Sequence, residues 1–208
     1  MRDQFRHDYG STVTGFHVPG LPVELYELAT DMTCLSRMLN DANAGHRPPL
    51  PARAFHGTLL LLGYRLINMH PLGQSRPDST LENAIHLGLV AFMMPFMHRL
   101  DGKIPDTPLL TQLLRSALET DHDVCDTAME ALLWVMLVGW SAEFMRTANP
   151  WLVSKISKTM HLLHIDTWED VSQRMAKYPW IEAFHGPALL DLCITQGIFA
   201  DELVEDLS

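Results

Sequence analysis

Apolar residues in this chain recur at intervals of three and four, the spacing that lays one stripe along an α-helix. Leu25, Leu28, Ala29, Met32, Leu35, Met38 and Leu39 set the pattern for a first helix. No segment combines sustained alternation with β-branched residues, so the expected fold class is all-α. A second helix is expected over about 52–69, apolar nearly all round through Leu59–Leu62 and therefore placed at the centre. Ser79 and Glu82 form a capping-box pattern for a third, running to Leu100, in which Pro95 predicts a kink or break near Met94. Thr107–Pro108 opens a fourth. The fifth, about Val124 to Thr147, is the most hydrophobic and is expected to be the spine of the core. Asn149–Pro150 starts a sixth that reaches about His164, and Thr167 to Asp170 caps a short one ending near Tyr178. Ala188 to about Leu207 supplies one or two more. The expectation is a single domain of about 7–9 helices over 23–208, preceded by a flexible arm, 1–22, whose Gly, Pro and polar residues show no period.

With 208 residues, 47% of them hydrophobic, the chain can bury one sizeable core, and some apolar surface is left for an interface. Only 19% are charged, which excludes a disordered chain. The formal net charge is −10 and the few basic residues form no stripe, so direct nucleic-acid binding is physically disfavoured. Lys155 and Lys158 do share one helix face, as do Arg174 and Lys177, but Asp166, Glu169 and Asp170 lie between the pairs. The apolar runs Leu87–Met97 and Ala131–Trp140 fall short of the roughly 20 residues that span a bilayer, so no membrane partner is expected. The opening residues, MRDQFRHDYG, contain no apolar signal core, which places the expected location in the nucleus or cytoplasm. The cysteines, Cys34, Cys125 and Cys193, are scattered and odd in number and read as buried free thiols.

Few residues offer chemistry. His161 and His164, at i and i+3, bring two imidazoles to one helix face with Asp166 close behind, a weak metal-ligand pattern that fits a solvated pair at a helix C-terminus better; no metal is expected. His56 and His86 sit in otherwise apolar helices and need partners if buried. Together His56, His86, His161, His164 and Asp166 are the candidate acid–base groups. Met93 and Met97, beside Phe92 and Phe96, suit either an adaptable binding surface or gap-filling around Pro95. Trp134, Trp140, Trp151, Trp168 and Trp180 could form an aromatic-lined ligand pocket, with Trp134 and Trp140 the candidates for ligand contact, or else serve as packing keystones. G-x-S-x-G, GxGxxG and Walker motifs are absent, and no cofactor is expected.

One long-range pattern remains. Leu133, Trp134 and Gly139 lie on an apolar helix; Trp151 opens the next; Thr167 to Val171 form a Trp-containing turn; Tyr178, Pro179 and Trp180 close the unit. This succession resembles the C-terminal regulatory region of fungal zinc-cluster transcription factors, and the likeness extends loosely upstream to about Leu25. The six closely spaced cysteines of that family's DNA-binding element are missing. The resemblance therefore implies a stand-alone regulatory or effector domain that controls metabolism, including secondary metabolism. It would act by sensing a hydrophobic small molecule or by contacting a full-length factor or another helical protein. The alternative is a cofactor-free enzyme, of isomerase, cyclase or dehydratase type, that processes a hydrophobic metabolite on the same scaffold. A homodimer through the apolar third or fifth helix fits either reading.

Overall fold

The computed structural model describes residues 16, 18–101, 108–119, 125–142, 150–196 and 198, with backbone alone at 97–101. Among them are eight helices and no strand: α1 Val23–Asn43, α2 Ala52–Met69, α3 Thr80–Asp101, α4 Pro108–Glu119, α5 Asp126–Ser141, α6 Pro150–Leu162, α7 Trp168–Met175 and α8 Glu182–Gln196. The chain is all-α.

The core is organised around α3 and α5, which pack on each other more extensively than any other pair. α5 also meets α4, α6 and α8, while α3 also meets α2 and α4. Every residue from Leu132 to Gly139 is buried, as expected of a spine. Gly88 lets α3 come close: a Cβ there would lie 2.8 Å from Val135 Cγ2 and 3.0 Å from Trp134 Cζ3. The same burial removes these stretches of α3 and α5 from consideration as an interface between copies, because Ala84 to Met93 and Ala131 to Gly139 are all spent on the core.

The second helix has the expected bounds but not the expected place. Among the described residues α2 packs chiefly on α1 and α3, through Leu59, Leu62 and Leu66, and its other face carries Leu60, Leu61, Tyr64 and Ile67 into solvent. It is peripheral, because apolarity all round reports what a helix carries and not what covers it.

Helix ends follow local chemistry. Ser79 Oγ accepts from Glu82 N at 3.3 Å, but the Glu82 carboxylate turns to His70 Nε2 at 3.1 Å, so the expected box is half made. Pro95 does not break α3, which continues to Asp101. At α7 the box is complete, with Asp170 N donating to Thr167 Oγ1 at 3.1 Å and Thr167 N to Asp170 Oδ2 at 3.2 Å. α5 ends at Ser141, six residues before the expected stop, and 143–149 lie outside the described residues, as does Thr107. α8 begins at Glu182 rather than Ala188, with Pro187 carried inside it. Its expected end near Leu207 also lies outside the described residues.

Most of the arm before residue 23 lies outside the described residues, but Phe16 and Val18 are buried. Phe16 meets Tyr178 edge-on at 5.7 Å and so joins the start of the chain to its C-terminal half. Of the thiols, Cys34 and Cys193 are buried and Cys125 is exposed, because it stands outside α5 at its N-cap.

Candidate functional site

Trp134, fully buried on α5, stacks on Tyr178 with ring centroids 5.8 Å apart and planes 13° from parallel. Its indole N–H donates to Pro179 O at 2.9 Å. Beneath this stack the buried Glu130 accepts from Arg174 Nη1 at 2.9 Å, Lys177 Nζ at 2.9 Å and the Tyr178 hydroxyl at 3.2 Å. Burial first, and then the Glu130 carboxylate, push the Tyr178 phenol well above its ordinary range, so the hydroxyl stays a donor. The dispersed Trp134 and Tyr178–Pro179 elements thus meet at one point, as packing. Trp140 is likewise engaged, its N–H donating to Ala188 O at 3.2 Å. Met93 is buried in the core beside Phe92, and the Met97 side chain lies outside the described residues.

The histidines named from sequence do not converge. His86 is fully buried with both ring nitrogens bonded: Nδ1 accepts from Arg76 Nη2 at 2.8 Å, and Nε2–H donates to Leu66 O at 2.9 Å. Arg76 also donates to Asn83 Oδ1 at 2.8 Å and His70 O at 3.1 Å, so this cluster locks the α2–α3 connection. Desolvation lowers the His86 pKa to about 4, with Arg76 and His70 adding to it and the Leu66 bond opposing. His56 is exposed, its Nδ1 2.9 Å from Ala52 O.

His161 and His164 do not share a helix face, because α6 ends at Leu162. His164 N donates to His161 O at 3.1 Å and Ile165 N to Met160 O at 3.0 Å, a Schellman closure in which His164 takes the left-handed position at φ 52°. Asp166 is exposed beyond it. Among the described residues no group of three His, Cys, Asp or Glu side chains could hold a metal. A β-carbon at left-handed φ is strained, so His164→Gly is expected to stabilise the fold by about 1 kcal/mol, or about 2–4 °C in Tm. A thermal melt checks this; an unchanged or lower midpoint contradicts it.

The structure adds a histidine that sequence reading passed over. His185 on α8 lies between Phe92, with centroids 5.7 Å apart, and Trp180, at 4.7 Å. Its Nδ1 is 2.9 Å from Ile181 N and 3.0 Å from Ile181 O, while its buried Nε2 has no partner among the described residues. Burial lowers its pKa to about 4.

A cleft able to take a ligand lies elsewhere. A cleft of about 350 Å³ opens between the end of α4, one face of α5 and one face of α6. Leu118, Met129, Leu132, Met136 and Trp151 form its apolar walls, with Leu162, 53% exposed, on the lip. Ser154, Lys155, Lys158 and Thr159 supply the polar lining. Lys155 Nζ donates to Leu118 O, which fixes one ammonium where the C-terminal carbonyls of α4 favour a cation. Arg115 stands over the Trp151 ring, 5.7 Å from its centroid.

The spacing that builds this cleft is in the sequence. Positions 151, 154, 155, 158, 159 and 162 make one face of α6, and 129, 132 and 136 one face of α5. The shared face of Lys155 and Lys158 was legible; that an apolar wall confronts it was not. Of the described lining residues only Trp151 is among the tryptophans that the sequence offered for a ligand pocket. The chain matches no protein-family model, no curated protein and no solved structure.

Proposed function

We propose that this chain is a ligand-sensing regulatory domain, of the kind its Trp134, Trp151 and Tyr178–Trp180 pattern resembles in fungal zinc-cluster factors. In this reading it controls metabolism from the nucleus or cytoplasm by holding a small apolar molecule, without binding DNA itself. The observation that carries the reading is the cleft between α4, α5 and α6. Its volume falls at the lower end of the range for small-molecule sites, and its walls are apolar with a few polar groups, the usual composition of such a site. The net charge of −10 argues against a duplex as the partner.

A second reading, a cofactor-free enzyme acting on a hydrophobic metabolite, draws support from one observation. His185 keeps a nitrogen without a partner among the described residues, in an apolar sandwich, and is neutral at pH 7, the state of a general base. Against it, the described cleft lining includes neither His185 nor any of the five acid–base candidates.

Both readings meet the same test. The purified protein is incubated with an organic extract of its source, and bound and free metabolites are followed by mass spectrometry. Retention of one compound, chemically unchanged, is the expected result. Protein-dependent conversion that is lost in His185→Phe would replace sensing with catalysis.

A further inference from the structure

We infer that the cleft between α4, α5 and α6 takes an amphipathic monocarboxylate, with its apolar body against Met129, Leu132 and Met136 and its carboxylate at Lys155 and Lys158. This rests on the ligand-sensing reading and adds to it the chemical class of ligand.

In a chain of net charge −10, both ionisable groups in the described lining of this cleft are ammonium groups. They stand one turn apart in reading order, at 155 and 158, on the helix face that also carries the Ser154 and Thr159 hydroxyls. Lys155 is already held in position by its bond to Leu118 O, which uses one of an ammonium's three hydrogens and leaves two for an anion. Lys158 is exposed at the mouth, where an entering carboxylate would meet it before desolvation is complete.

Opposite these cations the described lining offers no polar counterpart. Leu132 and Met136 are buried α5 side chains, and Met129 and Trp151 are half-buried, so the wall is fixed by the core rather than by a loop. Methionine thioethers conform to irregular apolar shapes, which suits an alkyl chain or a fused ring without selecting between them. Leu162, left 53% exposed at the lip, would be covered by a ligand long enough to reach it. A neutral apolar molecule would fill the walls but give neither ammonium group an anionic partner; a polar anion such as phosphate would do the reverse. An amphipathic acid satisfies both halves.

The test measures binding of dodecanoate, dodecanol and inorganic phosphate to the full chain by calorimetry, alongside Lys158→Glu and Ser154→Trp. Both substitutions are at exposed positions on the cleft and leave the core untouched. Dodecanoate is expected to bind about tenfold more tightly than dodecanol, the worth of one charge-assisted contact. Lys158→Glu should erase that margin without changing dodecanol, and Ser154→Trp should weaken both by filling the cleft. Equal affinity for acid and alcohol, or tighter binding of phosphate, overturns the assignment of ligand class while leaving a sensing role in place. Dodecanoate binding that is unaffected by Ser154→Trp overturns the location. If nothing binds and the metabolite extract also yields no retained compound, the sensing reading fails with it.

Discussion

Trp134→Ala is expected to lower stability by about 3–5 kcal/mol, the cost of deleting a fully buried indole. Against a total of about 5–15 kcal/mol for a domain, that change is severe. The loss has two parts that a second variant separates. Trp134→Phe keeps an aromatic face for Tyr178 but removes the donor to Pro179 O, which leaves a buried carbonyl unsatisfied at about 1–3 kcal/mol. Urea unfolding of the three proteins provides the measurement. If Trp134→Ala costs less than about 1 kcal/mol, well under the usual range for such a truncation, the stack is not the point at which the α7–α8 connection is fixed to α5.

The second large effect is acid sensitivity. His86 and His185 titrate in the folded protein at about 4, below the ordinary 6.5, in both cases chiefly because burial disfavours the imidazolium. Between those values the unfolded chain binds protons that the folded chain refuses, so stability rises with pH across the window. The contribution is complete above about 6.5 and lost as pH falls to about 4, and the largest loss is about 3 kcal/mol for each group. Urea midpoints at pH 7 and pH 4.5 should therefore differ strongly. His185→Phe, which keeps a ring between Phe92 and Trp180, should remove a large part of the difference, and His86→Gln another part. A pH dependence that is the same in both variants as in the parent would show that neither ring is the acid-sensitive group.

These two expectations draw on residues of different legibility. Trp134 stood out in the sequence because it recurs in a pattern with Tyr178–Trp180, and its keystone role follows from a stack and a hydrogen bond that join positions far apart in the chain. His185 was passed over because Pro187 disguised the start of α8, and a histidine in a supposed loop gives no sign that its ring will be buried. Proline inside a helix removes one donor and does not have to end it, as α3 and α8 both show.

Periodicity placed α2 to the residue, since Pro51 and His70–Pro71 bracket it, yet it set α2 in the wrong environment. Which side chains are apolar is a local property; which of them are covered depends on neighbours, and Leu60, Tyr64 and Ile67 are left mostly exposed. The cleft was half legible for the same reason. The ammonium face of α6 can be counted along the sequence, whereas its meeting with Met129, Leu132 and Met136 depends on how α5 and α6 pack. His164 leaves the helix face of His161 through one backbone angle that no spacing rule contains.

The most direct test of a ligand cleft on α6 uses the tryptophans as reporters. Five indole N–H signals are expected in a nitrogen–proton correlation spectrum, and substitution of each tryptophan in turn assigns them. Titration with the compound retained from the extract should shift the signal of Trp151, which lines the cleft, and leave that of Trp134, bonded to Pro179 O, in place. Movement of Trp134 or Trp140 with Trp151 unchanged would put the ligand in the core and contradict the account.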